Sequence, residues 1–458
     1  MAFAPPSLRP RPPARTAPIA APEVAVARGR LTQPSLPRGA RLDWSAAVAT
    51  QMIEINEARV RVLQGIAALP SEVVELRSAR GRFLAEDVVA EEDVPGFDGA
   101  AMDGYAVRAA DTRGAGPLAP VALRIVDESR AGHPATASLG AAQAIAISTG
   151  AALPSGADAV VRVEETSRSG DRVELAGEVE PGRDVRRTGD DLRRGGSAVR
   201  SGTLLGAAEL GVLASAPRTA ILCTRRPRVS ILTTGDELIE PGEPMRPGAV
   251  RNSNAYSIPS LVEQAGAEIV RLAAVGDDAA ATEAAIATAL SADVCVICGG
   301  VSVGAHDHVK SALGRLGVDE IFWGIALKPG KPTWFGRHGD QQVFGLPGNP
   351  VSAMVTFVLL VHPALIALGG GDPARQRATA RLANGYAKEA GRAHAVPCRL
   401  ELRPDGWEAS LAAAGSHVLS AMLGADGIAL IPAESESLSA GASVEVELLD
   451  QGGLAGAG

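Results

Sequence analysis

Between residues 46 and 69 the apolar side chains Val48, Met52, Ile55, Ala58, Val62, Ile66 and Leu69 recur at steps of three and four. This spacing predicts one amphipathic helix, closed by Pro70. The texture then changes. Short apolar runs at 121–126, 144–148 and 159–163 are separated by Gly, Pro and Asp, which predicts strands of a small, turn-rich lobe. A short helix is expected at 206–216. From residue 228 the chain alternates. Runs at 229–233, 269–275 and 294–298 read as strands, and 253–265, 279–290, 307–316 and 351–368 read as helices. Such alternation specifies a mostly parallel sheet with helices on both faces. Past Gly369-Gly370-Gly371-Asp372-Pro373, period-two alternation returns, as at 443–448.

The expected fold is α/β plus β and multidomain. A central three-layer α/β domain with a mostly parallel sheet spans 221–370. A helical and extended N-terminal domain uses 43–96 and 186–220, with a β-rich lobe, 97–185, inserted into it. A small C-terminal β-domain takes 371–458. A length of 458 residues accommodates roughly two to four domains. Residues 1–42 are rich in Pro, Ala and Arg, with Glu23 the only acid, and read as a disordered arm.

Charge narrows the partners. A net charge of -8 and a pI near 5.5 argue against broad binding to nucleic acid or membrane surfaces. No apolar run is read as long enough to span a bilayer. The cysteines are few (Cys223, Cys295, Cys298, Cys398) and form no structural zinc pattern. Cys295 and Cys298 make a C-x-x-C inside an apolar run, which reads as buried strand, with a redox pair or metal half-site the rarer alternative. With no secretory leader read, these features point to a reducing cytoplasm.

Lysine is the unusual residue. Only four occur, and Lys310, Lys328 and Lys331 fall close together. Lys328-Pro329-Gly330-Lys331-Pro332 fixes two ammonium groups on a non-helical turn. Lysine is a compact point charge with three rotatable donors, suited to oxyanions. A solvated basic turn is the plain alternative, but the scarcity of lysine elsewhere favours an anion site. Two Gly-bearing loops follow predicted strands: Thr233-Thr234-Gly235-Asp236-Glu237 and Gly299-Gly300-Val301-Ser302-Val303-Gly304. At the carboxyl edge of such a sheet, glycine amides and a following helix N-terminus suit a phosphate. Neither loop fits a Walker or G-x-G-x-x-G pattern. Asp236, Glu237 and Asp307 at this edge suit a bridging Mg²⁺; helix N-capping is the structural alternative for Asp236 and Asp307. Asp293 precedes its strand, which allows it the opposite end of the sheet. His306 and His308 flank Asp307 and read as surface polarity rather than metal ligands. Leu346-Pro347-Gly348-Asn349-Pro350 leads into the helix carrying Ser352 and reads equally as helix start or anion turn. Asp98 and Asp103 lie in a glycine-rich loop where Asx-turns would explain them.

In order, P-G-F-D-x-x-A-M-D-G-Y-A-V from Pro95, I-S-T-G-A from Ile147, R-R-x-G-D-D from Arg186, T-G-D-E-L, G-G-V-S-V-G, K-P-G-K-P and L-P-G-N-P-V-S-A resemble the molybdopterin molybdenumtransferases. These are molybdenum insertases of the bacterial MoeA type, also found as the E domain of gephyrin-like proteins. The resemblance covers about 44–449. It implies that adenylylated molybdopterin and molybdate give molybdenum cofactor and AMP, with Mg²⁺. It implies an elongated homodimer of four-domain subunits, its cleft lying between the α/β domain of one copy and the N-terminal lobes of the other. Asp98, Asp103, Asp236, Glu237, Asp307, Lys328 and Lys331 are then the catalytic candidates, with Asp236, Glu237 and Asp307 at the metal. Thr149, Asp190, Asp191, Thr234, Gly235, Gly299, Gly300, Ser302, Gly304, Lys310, Pro347, Gly348, Asn349, Ser352, Arg392 and Ser416 are the substrate-binding candidates. A molybdopterin adenylyltransferase and molybdoenzyme apoproteins are implied partners. Departures from the family pattern are Gly99-Ala100 for Asn-Ser, Asp190 for Glu, Cys298 for Ser, and His306 and His308 for an acidic and aromatic pair. The alternatives are a molybdopterin adenylyltransferase, which shares the α/β domain, and a non-catalytic scaffold or cofactor carrier.

Overall fold

The computed structural model describes residues 52–301, 308–374, 376–412, 415 and 417–449. The arm at 1–42 and the start of the first predicted helix lie outside them, as do Ser302, Gly304, His306, Asp307 and Ser416.

The first helix is Ile55–Leu63, shorter than its apolar period. Ile53 is used elsewhere: its amide donates to Gly324 O at 3.3 Å and its carbonyl accepts from Ala326 N at 2.8 Å. The helix ends at Gln64, before Gly65 at φ 75°, so glycine rather than Pro70 closes it. The chain then runs outward and returns through antiparallel pairs. Ser71–Glu75 pairs with Ala220–Thr224, Val88–Val89 with Ser197–Val199, and Gly99–Ala100 with Val185–Arg186. Between the two runs sits a six-stranded sheet ordered Ala159–Arg162, Gly104–Val107, Gln143–Ile147, Val121–Ser129, Arg172–Leu175, Thr166–Ser169.

The central sheet is ordered Glu268–Val275, Arg228–Thr234, Val294–Cys298, Gln341–Leu346, Trp334–His338, Asp319–Trp323. The first four strands are parallel and the last two antiparallel. Alternation along Val294–Cys298 explains the layers. Val294, Val296 and Cys298 face a core shared with the first helix and with 350–368. Cys295 and Ile297 face the opposite core, covered by Ala279–Ala289 and Val309–Arg315. The two cysteines therefore point apart, each thiol pushed up to about 12 by burial; the buried-strand reading holds. Asp293 sits at the amino end of this strand, paired with Arg225 at 2.7 Å. This pairing keeps it away from the carboxyl edge.

Two expectations are corrected here. The run Pro350–Leu368 is long and apolar enough to cross a membrane by length and composition, but 78% of it is buried inside the protein. It is a core element, interrupted by a π-helical segment at Phe357–Val361. The loop after Arg228–Thr234 also leads into no helix. It enters the short strand Leu238–Ile239, and the next helix begins only at Asn254. Asp236 is therefore not an N-cap.

The last sheet closes on itself. Ala393–Arg403 pairs with both Gly406–Leu411 and Gly427–Ile431, giving a small barrel with Arg377–Leu382 and Ser443–Leu448. Leu327–Lys328 adds to this barrel in parallel, placing Lys328 opposite His394. The lysine turn thereby joins the α/β core to the barrel.

Candidate active site

The turn holding Lys328 and Lys331 is pinned from within. Thr333 Oγ1 donates to Gly330 O at 2.6 Å, and Lys331 O accepts from Ile325 N at 3.0 Å. Gly330 has φ 124°, and a Cβ there would lie 2.7 Å from the Thr356 methyl, so no other residue fits. Both lysines line a cavity of about 250 Å³ with Pro347, Asn349, Ser352 and Arg392. Among the described residues no carboxylate lines it. Among the described residues, the side chains of Lys328, Lys331 and Arg392 make no hydrogen bond or ion pair. Unpaired cations at a cavity wall form a site for an anion.

Two further lining residues, Tyr386 and His394, escaped the sequence reading. Burial first, then Lys328, Lys388 and Arg392, pushes His394 down to about 4. Lys388 itself is spent on the carbonyls of Arg392 and Ala433, at 3.1 and 3.0 Å. Tyr386 is one of three tyrosines, and His394 stands two residues after Arg392; the rarity of the first was the available signal.

A continuous edge leads from this cavity to the glycine loops. In the turn at 346–350, Gly348 packs against Gly299, where a Cβ on Gly348 would lie 3.7 Å from the Gly299 Cα. Asn254 Nδ2 holds the turn by donating to Gly348 O at 2.8 Å. Gly299 and Gly300 have φ 98° and 65°. They admit the Thr234 hydroxyl: Cβ atoms on them would lie 2.9 and 3.0 Å from Thr234 Oγ1. That hydroxyl is buried and has no hydrogen-bond partner among the described residues. Such an orphan normally awaits a ligand or water. Beyond Gly235, Asp236 and Glu237 are exposed. Asp236 Oδ1 accepts from Asp277 N at 2.9 Å, and the Glu237 carboxylate folds over Gly235.

Lys310 stands apart from the other two lysines. Its ammonium lies 4.6 Å from the centre of the Trp323 ring, whose Nε1 donates to Val301 O at 2.9 Å. It braces the second glycine loop and does not line the lysine cavity.

The N-terminal candidates form a separate group. Asp98 accepts from Thr188 N at 2.8 Å, Thr188 Oγ1 at 2.9 Å and Arg187 at 2.7 Å. Asp103 accepts from Thr149 N at 2.6 Å and Thr149 Oγ1 at 2.9 Å. These partners are remote in sequence, so the local Asx-turn reading of both acids is replaced. The Thr188 amide, then the Arg187 side chain, hold Asp98 below the usual carboxylate range; the Thr149 amide does so for Asp103. Asp190 accepts from Arg187 N at 2.6 Å. Asp190 and Asp191 line a cavity of about 460 Å³ with Phe97, Gly99, Gly150 and Arg186. It shares no lining residue with the lysine cavity.

Three family models match successive parts of the chain. Residues 53–216 match the MoeA N-terminal region (domain I and II). Residues 230–367 match a probable molybdopterin binding domain, and 379–449 the MoeA C-terminal region (domain IV). The chain is 35% identical over 404 residues to molybdopterin molybdenumtransferase 2 of Mycobacterium tuberculosis, covering 86% of this chain and 99% of that one. It is 34% identical over 416 residues to the molybdopterin molybdenumtransferase of Haemophilus influenzae, covering 86% and 98%. A crystal structure of the molybdopterin biosynthesis MoeA protein from Pyrococcus horikoshii superposes with a TM-score of 0.70 at 34% identity, covering 87% of this chain and 99% of that one. The fold and site thus define a multidomain transferase of molybdenum cofactor biosynthesis with a molybdopterin-binding domain. The chain belongs to the MoeA-type molybdopterin molybdenumtransferase family.

Proposed function

We propose that the protein inserts molybdenum from molybdate into adenylylated molybdopterin, releasing AMP. One observation carries this reading. A carboxylate-free cavity with three unpaired cations is joined, through the turn at 346–350, to a glycine-lined edge with an orphaned buried hydroxyl. The first suits a tetrahedral dianion held by charge-assisted bonds, the second a phosphate. Lys328, Lys331, Ser352 and Arg392, with Pro347 and Asn349, hold molybdate. Thr234, Gly235, Gly299, Gly300 and Gly348 seat the pterin phosphate, and Lys310 keeps the second loop in shape. Ser302, Gly304 and Ser416 are the further substrate-binding residues of the proposal and lie outside the described residues.

Asp236 and Glu237 are adjacent and exposed; Arg246 donates to the Asp236 main-chain carbonyl, and neither carboxylate forms an ion pair among the described residues. This fits Mg²⁺, which takes one or two carboxylates and fills its shell with water and phosphate oxygens. No group of three or more candidate ligands exists among the described residues; Asp307 is the third acid of the proposal and lies outside them. When bound, the cation supplies charge neutralisation at the phosphoanhydride. The protein's part is to hold the two phosphates and the oxyanion side by side and to keep other charge away. The pterin sulfurs, not the buried cysteines, accept the metal.

In this reading Asp98, Asp103, Thr149, Asp190 and Asp191 act on the substrate of a second copy, so the working unit is a homodimer. The absence of any lining residue common to the two cavities supports this reading. The domain limits proposed are 43–96 with 186–220, 97–185, 221–370 and 371–458. A molybdopterin adenylyltransferase supplies the substrate, apo-molybdoenzymes take the product, and the reaction is cytoplasmic. Purified protein given adenylylated molybdopterin, molybdate and Mg²⁺ should release AMP. Incorporation of AMP from ATP would indicate an adenylyltransferase, and neither reaction would indicate a carrier.

A further inference from the structure

Tyr386 and His394 line the lysine cavity but have no part in the reading above. His394 is 6% exposed and lies in parallel register with Lys328. The Tyr386 hydroxyl is 2.9 Å from His394 Nδ1, and the rings meet edge to face at 5.8 Å. The charged groups acting on His394 are Lys328 from the turn, Lys388 from the segment after Tyr386–Ala387, and Arg392 from the start of its own strand. All are cations, and with burial they keep the imidazole neutral. A neutral imidazole has one N–H, and the partner of one nitrogen decides where that proton sits. Tyr386, its own acidity weakened by burial, keeps its phenolic proton and has one O–H to give. When it donates to Nδ1, the ring proton lies on Nε2.

We propose that Tyr386 fixes His394 as the Nε2–H tautomer, so that the cavity selects a fully deprotonated tetrahedral dianion over hydrogen phosphate of equal charge. This rests on the oxyanion reading of the cavity and adds its selectivity. Hydrogen phosphate carries a P–OH that must find an acceptor. Lys328, Lys331 and Arg392 can only donate. Ser352 offers only a hydroxyl acceptor, weaker than an imidazole nitrogen. An imidazole lone pair would be the strongest side-chain acceptor of the lining, and Tyr386 removes it. A buried P–OH left with a weak acceptor costs affinity, whereas a bare oxyanion accepts on every oxygen. Tyr386 is thus a positioning residue, and His394 the group that meets the ligand.

The test titrates the intact protein with molybdate, sulfate and phosphate at about pH 8, where phosphate is mostly a dianion carrying one proton. Sulfate matches phosphate closely in size, so that pair isolates the proton. The wild-type protein should bind molybdate and sulfate at least about tenfold more tightly than phosphate. Tyr386→Phe frees the imidazole to present its lone pair and should shrink the sulfate-to-phosphate ratio by about threefold or more. Nitrogen-15 histidine spectra of the wild type, assigned by loss of one signal in His394→Gln, should give the Nε2–H signature. Equal affinity for sulfate and phosphate, or an Nδ1–H signature, overturns the selectivity proposal and leaves the oxyanion reading standing. Failure of all three ions to bind overturns both. The wild-type arms decide even if Tyr386→Phe does not fold.

Discussion

The lysine cavity and the acidic loops of the N-terminal lobe hold their charge in opposite ways. Among the described residues Lys328, Lys331 and Arg392 have no counter-ion, and the lysine turn is fixed by hydrogen bonds to its carbonyls. Asp98 and Asp103 are each gripped by a threonine through both its amide and its hydroxyl. A cation left unpaired keeps its full attraction for an incoming anion. A carboxylate already accepting hydrogen bonds is oriented and ionised but has less left to give a ligand. In the proposed function the cationic region therefore binds and the acidic region positions.

This contrast predicts unequal losses. Lys331→Ala should lower AMP release by about a hundredfold, since it removes a charge-assisted donor from the oxyanion. Asp98→Asn keeps the shape and the acceptor for Thr188 but loses the charge and the acceptor for Arg187, so a decrease of about tenfold is expected. If the lobe of one copy serves the cavity of the other, mixing the two variants rebuilds one intact site per mixed dimer. Random reassortment should then recover about a quarter of wild-type activity. No recovery after subunit exchange would place both groups in one copy's site.

The two regions should also separate by pH. His394 is pushed from 6.5 to about 4. The folded state refuses a proton that the unfolded chain takes up, so this stability is complete above 6.5 and falls as pH drops toward about 4. Asp98 and Asp103 are held below 3.8. Their contribution is full above that value and is lost only as pH falls through the lowered one. In urea unfolding followed against pH, His394→Gln should flatten the upper loss and leave the lower one unchanged. The smallest effect expected is for Thr188→Val. It removes one hydroxyl bond from Asp98 while the amide remains, and should cost about twofold in AMP release.

The sequence carried some of this openly. The unbroken apolar run from Val294 to Cys298 reads correctly as a buried strand, because side chains on two packed faces must both be apolar. Lysine scarcity pointed to the cavity, because a rare residue is informative. Pairings distant in the chain were not legible. Asp98 and Asp103 resembled turn acids until Thr188 and Thr149 came beside them. Nothing local indicated that Leu327–Lys328 would pair with the barrel and bring Lys328 next to His394. The first helix is overread because Met52 keeps the helical period while the backbone of its neighbour Ile53 bonds to Gly324 and Ala326. Periodicity reports which face is buried, not which partner claims the backbone.

The central claim is that the cavity between the lysine turn and the barrel holds the metal oxyanion. Crystals soaked in molybdate and measured at the molybdenum absorption edge test it directly. An anomalous peak within hydrogen-bond reach of Lys328, Lys331 and Ser352 is predicted. A saturated crystal with its peak elsewhere, or with none, would contradict it.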